Sequence, residues 1–210
     1  AGAASPFWSP DGGSIAFFAG GNLRRIEIEG GQATDLCEAP YGGTGSWGRE
    51  RILFSQWTTG VEGLYSVPAD GGVAERLPGS GPDNADGPRT FPFALPDGEH
   101  YLYLKGGYRG PVAARELCVG RFNDDQHQCL GRADSRAEYV APDLVLFVRG
   151  GTLLAQTVDL ESGTFVGSPA AIATDAWWFS PSGAAEFSGS AGGRTLVARR
   201  DPGEAVQQWH

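Results

Sequence analysis

Apolar and polar positions along the chain fall into short runs broken by glycine and proline, and the runs recur in a fixed order. Residues 5–37 read SPFWSPDGGSIAFFAGGNLRRIEIEGGQATDLC. An aromatic strand comes first, then a Ser-Pro-Asp-Gly turn, an apolar strand and a Gly-Gly turn. An alternating strand, a second Gly-Gly and a short last strand follow, so the pattern predicts four strands in one unit. The order returns at residues 45–77, where Gly45-Ser46-Trp47 leads into Ile52-Leu53-Phe54, Gly63 to Val67, Asp70-Gly71-Gly72 and Leu77. A third copy runs from Thr90-Phe91-Pro92-Phe93 through Leu95-Pro96-Asp97-Gly98 and Tyr101 to Leu104, then to Glu116 to Val119, with an insertion near 106–113. A fourth, more degenerate copy has Ala141-Pro142-Asp143 at its turn, then Leu144 to Val148 and Thr152 to Val158. A last copy starts around Glu186-Phe187-Ser188, passes through Thr195 to Ala198 and lacks an obvious fourth strand.

Tandem units of this length predict a repeat architecture, because a single small antiparallel sheet cannot cover both of its own faces. Ile15-Ala16-Phe17-Phe18 and Leu144-Val145-Leu146-Phe147 are apolar at consecutive positions, as strands covered on both sides should be. The expected fold is therefore an all-β propeller of four-stranded antiparallel blades. About five blades are expected, at roughly 5–40, 41–80, 84–136, 137–175 and 176–210, forming a single domain or a propeller fragment. Four are complete, and the fifth is truncated or completed by the N-terminal residues. An array left unclosed would expose apolar blade faces and invite self-association.

Composition supports many short strands over long helices: 33 glycines and 14 prolines, with no methionine. In the Pro-Asp-Gly turns proline presets φ, aspartate bonds the following amides and glycine accepts positive φ. Asp11 and Asp97 are accordingly read as turn formers. The net charge of −9 is spread along the chain, which argues for solubility and against nucleic acid as a partner. No apolar run reaches the roughly 18–20 residues of a membrane span, and residues 1–8 lack the features of a signal peptide. Cys37, Cys118 and Cys129 have no zinc-site spacing, and no cofactor is implied. A two-residue turn at Asn123-Asp124 would set Cys118 opposite Cys129, where a disulfide could form. Packed, reduced thiols are the plainer reading of the pair.

Ser5-Pro6-Phe7-Trp8-Ser9-Pro10-Asp11-Gly12 followed by Ile15 to Phe18 resembles the TolB-like, WD-type bacterial propeller repeat over nearly the whole chain. Leu144-Val145-Leu146-Phe147-Val148-Arg149-Gly150-Gly151-Thr152-Leu153-Leu154-Ala155-Gln156 is similar, more narrowly, to the C-terminal propeller of bacterial membrane serine/threonine kinases. The resemblance implies a non-catalytic propeller outside the cytoplasmic membrane that binds protein or small ligands. No kinase phosphate loop, catalytic loop or metal-binding segment occurs, so phosphoryl transfer is not assigned to this chain.

No nucleophile elbow, zinc-protease motif, nucleotide loop or EF-hand is present, and His100, His127 and His210 read as solvated loop histidines. Propeller geometry would place a ligand site where the first strands converge. Trp47, Arg89, Glu138 and Glu186 lie at or just before those strands, and Trp177-Trp178 in the loop entering the last blade. For Trp8 and Trp47, packing between blades is the favoured use. Two readings follow. One is a binding or scaffold module for an unidentified protein or small ligand. The other is a glycoside or lactone hydrolase using Glu138 and Glu186 as its carboxylate pair.

Overall fold

The structure, a computed structural model, describes residues 2–58, 62–81, 87–106, 111–190 and 193–200, with the backbone of 207–209. Each of the first four predicted repeats becomes one antiparallel sheet whose strands lie in chain order. The first holds β1 (Ala4–Trp8), β2 (Ser14–Ala19), β3 (Asn22–Glu27) and β4 (Thr34–Glu38). The second holds β5 (Gly42–Trp47), β6 (Arg51–Gln56), β7 (Gly63–Pro68) and the two-residue β8 (Glu75–Arg76). The third holds β9 (Arg89–Ala94), β10 (His100–Lys105), β11 (Glu116–Arg121) and β12 (His127–Arg132). The fourth holds β13 (Ala137–Val140), β14 (Leu144–Arg149), β15 (Thr152–Asp159) and β16 (Thr164–Ala173).

The last repeat divides. A short ladder pairs β17 (Trp178–Phe179) with β18 (Ala184–Ala185), and a three-stranded sheet joins β19 (Phe187–Gly189), β20 (Leu196–Ala198) and β21 (Gln207–Trp209). The architecture is all-β and propeller-like, built of repeated four-stranded antiparallel units. By compactness the chain separates into two units, Ala1–Tyr101 with Gly120–Gln126, and Leu102–Val119 with His127–His210.

The Asp turns form as their residues dictate. Asp11 Oδ1 accepts the Ser9 hydroxyl at 2.6 Å and the Gly13 amide at 3.0 Å, and these bonds hold its carboxyl below the ordinary value. Asp97 Oδ1 accepts the amides of Glu99 and His100, both at 2.9 Å. Burial pushes the Asp97 carboxyl up, but these amides and the His100 ring outweigh it, leaving the group below its usual range. His100 departs from the expected solvated loop: it opens β10, is buried, and its Nδ1 lies 2.8 Å from Asp97 Oδ2. His127 rests edge-on against Tyr103 at 6.1 Å between ring centroids, and His210 lies outside the described residues.

The first and third repeats share a backbone irregularity as well as a motif. Ser5-Pro6-Phe7-Trp8 and Phe91-Pro92-Phe93-Ala94 precede corresponding Pro-Asp-Gly turns. Ser5 and Phe91 both adopt left-handed φ, at 49° and 52°. In β1 this coincides with a register shift between Ala4 and Phe7, the signature of a bulge that re-aims the strand.

The core of the first unit lies between its first two sheets, where Ala16, Phe18, Leu23, Cys37, Ile52, Phe54 and Val67 are buried together and Phe7 and Trp47 pack alongside. Glycine makes this closeness possible. A Cβ on Gly42 would lie 2.1 Å from the Phe18 ring and one on Gly45 2.4 Å from the Phe7 ring, so β5 offers bare backbone to two aromatic side chains. Burial drives the free Cys37 thiol up to about 11, which leaves it inert as a nucleophile. Trp8 departs from its expected use in packing between blades, because its ring is exposed. In the second unit, Val140, Leu146, Val148, Leu153 and Ala155 of the fourth sheet are buried with Ala176, Ala185, Phe187 and Ala198 of the last repeat.

A disulfide joins Cys118 on β11 to Cys129 on β12. The connection between the two strands is the five residues 122–126, not a two-residue turn, and Asp124 Oδ1 caps it by accepting the Gln126 amide at 2.9 Å. Two expectations follow from this packing. Gly42→Val should lower unfolding free energy by about 2–3 kcal/mol through overpacking against Phe18, read from urea denaturation, whereas Gly2→Ala should cost far less because Gly2 is not in the left-handed region and that Cβ meets nothing within 4 Å. Replacing both Cys118 and Cys129 by serine should cost roughly 2–3 kcal/mol for loss of so short a closed loop. A wild-type melting temperature that is insensitive to dithiothreitol would contradict this.

Candidate functional site

The expected site residues divide between the two units. In the first, Trp47 ends β5 opposite Ile52 and is half-buried against the core, a packing position. Arg89 opens β9 and is buried, with Nη1 donating to the Pro78 carbonyl at 3.4 Å. It also lies close enough to the Tyr101 phenol to counter, through its charge, the upward push that burial gives that group. Nearby, the Ser46 hydroxyl accepts the Ala94 amide at 3.0 Å, tying β5 to β9.

In the second unit Glu138 lies on β13, buried, with its carboxylate fully engaged. Oε1 accepts the Ser188 hydroxyl and the Gly189 amide, both at 3.0 Å, and Oε2 faces Arg136 Nη1 at 3.3 Å. Arg136 in turn donates from Nε to the Ala185 carbonyl at 2.9 Å and from Nη2 to the Phe187 carbonyl, and its guanidinium lies 4.5 Å from the Phe187 ring centroid. The pair therefore fastens β13 to the strand that runs through Ala185 to Gly189. Sequence reasoning singled out Glu138 but missed Arg136, Ser188 and Gly189. An Arg two residues before a Glu on a predicted first strand was the available signal.

Trp177, Trp178 and Glu186 come together around a residue that sequence reasoning also missed, Arg199. Trp178 belongs to β17 rather than to a loop. It pairs with Ala185 and packs against the core. Trp177 turns the other way: its amide donates to the Arg199 carbonyl at 2.8 Å, and the Arg199 guanidinium sits 4.8 Å from its ring centroid. Nη1 of Arg199 lies 3.0 Å from both carboxylate oxygens of Glu186.

Strict alternation explains the arrangement. Ala176, Trp178, Ala185, Phe187, Leu196 and Ala198 face the core, which leaves Trp177, Phe179, Glu186, Val197 and Arg199 on the outward side. On that side an antiparallel sheet would ordinarily be polar. Here it carries two aromatic rings, a valine and one neutralised ion pair.

Among the described residues no group of three or more His, Cys, Asp or Glu is placed to hold a metal ion, and no helix is long and apolar enough to cross a membrane. The repeated sheets define the class of protein: a β-propeller. Solved structures agree. TolB from Acinetobacter baumannii superposes with a TM-score of 0.61 at 17% identity, covering 98% of this chain and 49% of that one. A putative TolB from Agrobacterium tumefaciens gives 0.63 at 15% identity, over 93% of this chain and 69% of that one. Regucalcin from Agrobacterium tumefaciens, a calcium-binding protein, gives 0.61 at 13% identity, over 99% and 70%. The chain thus spans about half of the Acinetobacter protein. Likeness at these identities establishes the fold alone. The chain matches no protein-family model and no curated protein.

The joint at Glu138 makes one clear expectation. Arg136→Met should cost about 3 kcal/mol, because it strands a buried carboxylate without its partner. The measurement is chemical denaturation of single and double variants. The double variant Arg136→Met/Glu138→Leu should recover much of the loss, and equal destabilisation by all three would refute the pairing.

Proposed function

We propose that this chain is a non-catalytic β-propeller binding module that works outside the cytoplasmic membrane. Its contact surface is the outward face of the last repeat. The observation that carries the reading is the display of Trp177, Phe179 and Val197 beside Arg199, on a side where alternation would otherwise put polar residues. Trp and Arg in partly desolvated surroundings are the residue types that dominate binding energy at protein contacts. Glu186 holds the Arg199 side chain in place, and Trp178 anchors the strand from the core side. Trp47, Arg89 and Glu138 act as supports for the scaffold.

The Cys118–Cys129 disulfide supports an oxidising compartment, in keeping with the resemblance to exported propellers. The hydrolase reading loses ground because each of its carboxylates already has a partner. Glu138 is occupied by Arg136, Ser188 and Gly189, and Glu186 by Arg199. A general acid must instead present its proton to the leaving group.

The test compares the wild type with Trp177→Ala and Phe179→Glu in affinity capture from an exported-protein fraction, followed by titration of the purified partner. Each substitution should weaken binding at least about tenfold, and turnover of aryl glycosides and lactones should stay at background. Undiminished binding by both variants would overturn the assigned surface. Hydrolysis abolished by Glu138→Gln, in a variant that keeps its native circular dichroism, would overturn the non-catalytic reading.

A further inference from the structure

The outer strand of a sheet is bonded along one side only, and what else fixes it differs from repeat to repeat. β4, outermost in the first sheet, is held by burial. Its Leu36 and Cys37 lie in the core, and Cys37 stays a free thiol opposite Leu23 of β3. β12, outermost in the third sheet, buries none of its six residues. Its His127 ring rests edge-on against Tyr103, and its Gln128 side chain lies beside Gly163. To this slight apolar hold is added a covalent tie, from Cys129 to Cys118 on β11. β11 is the opposite kind of strand, with Leu117, Cys118, Val119 and Gly120 all buried. The third repeat thus uses a reducible bond where the first uses burial.

Elements with few buried apolar contacts open at a cost far below that of global unfolding. Ladder hydrogen bonds add little net stability each, because water replaces them. A disulfide that closes a short loop also contributes less to the whole fold than one closing a long loop, so its loss is felt locally. We propose that Cys118–Cys129 is a redox clasp on β12. Oxidised, β12 belongs to the sheet. Reduced, β12 leaves, β11 becomes the edge and the rest of the fold stays in place. The reductant is a dithiol. Its thiolate attacks Sγ of Cys129, the half on the partly exposed strand, and forms a mixed disulfide. The protein S–S bond breaks, and Cys118 departs as a thiolate that takes up a proton. The second thiol of the reductant then displaces Cys129 in the same way. Two electrons and two protons pass from the dithiol to the cystine, leaving two protein thiols and the reductant's disulfide.

Cys37 supplies the control, since burial in the core between the first two sheets keeps it unreactive for as long as that core holds. The full chain is treated with dithiothreitol in the absence of denaturant and pulsed with iodoacetamide. Hydrogen exchange is followed in parallel, and both are read by peptide mass. Amides of 127–132 should exchange at least about tenfold faster after reduction, as local opening requires, with β5, β6 and β7 unchanged. Cys129 should be alkylated and Cys37 should not. Reoxidation should restore protection, and the double variant Cys118→Ser/Cys129→Ser should show the open pattern with no reductant. Protection of 127–132 that survives reduction would overturn the proposal, because the strand then needs no clasp. Alkylation of Cys37 together with Cys129 would overturn it too, marking a staple on which the whole fold depends. A bond that dithiothreitol leaves intact in the native protein is the third outcome against it.

Discussion

A small antiparallel sheet that is apolar on both faces must be covered on both faces, and the organisation of this chain follows from that requirement. Burying one large aliphatic or aromatic side chain contributes on the order of 1.5–3 kcal/mol. A sheet such as β1–β4 carries Phe7, Ala16, Phe18 and Leu23 on the side that packs on the second sheet and Trp8, Ile15, Phe17 and Ile26 on the other, so one neighbour recovers only part of that gain. No repeat is therefore stable by itself, and stability resides in the joints between repeats. The glycines of β5 serve this end. By omitting side chains at Gly42 and Gly45 the strand lets Phe18 and Phe7 approach its backbone.

Joints also gather polar groups, because each sheet's first strand meets the turn that leads into the next. Buried there, such groups must be paired. Arg115 and Asp134 show how. Arg115 is fully buried and donates to the carbonyls of Asp134 at 3.2 Å and Pro181 at 3.0 Å. Burial lowers its guanidinium below the usual value, and the charge of Asp134 opposes the shift. The Asp134 carboxylate in turn accepts the Gly150 amide at 2.6 Å and faces Arg132 at 3.3 Å. Arg136 with Glu138 repeats the device a few residues on. Paired charges of this kind add little net stability over an apolar replacement. Removing one member alone would nonetheless leave the other as an unpaired buried charge.

The repeat, the strand order and the Asp turns were legible from sequence because each depends on local chemistry. Pro-Asp-Gly makes the same turn wherever it falls, and Asp11 and Asp97 bond their amides as the motif predicts. The left-handed Ser5 and Phe91 were not legible, since nothing in a serine or a phenylalanine announces positive φ. Only their shared place before Pro6 and Pro92 relates them. His100 was misread for a similar reason: a polar residue beside a turn looks solvated until Asp97 Oδ2 is found 2.8 Å away. Cys118 and Cys129 are close enough to bond, but through a five-residue connection and not the expected two-residue turn, and the pair is a disulfide where packed, reduced thiols were the plainer reading, since spacing alone does not decide between the two.

The site residues separate along the same line. Glu138 and Glu186 look alike in sequence, each a carboxylate at the start of a first strand. The alternation of neighbouring residues distinguishes them. Glu138 shares its side of β13 with the buried Val140, so it points into a joint and must be neutralised there. Glu186 stands between Ala185 and Phe187, both core residues, so it points outward and can only meet what the outward side carries, which is Arg199 and through it Trp177. Residue type raised both as candidates, and the side of the sheet assigns one to the scaffold and the other to the surface. In a repeat protein that periodicity of two decides which polar residues are free to act on anything outside the chain.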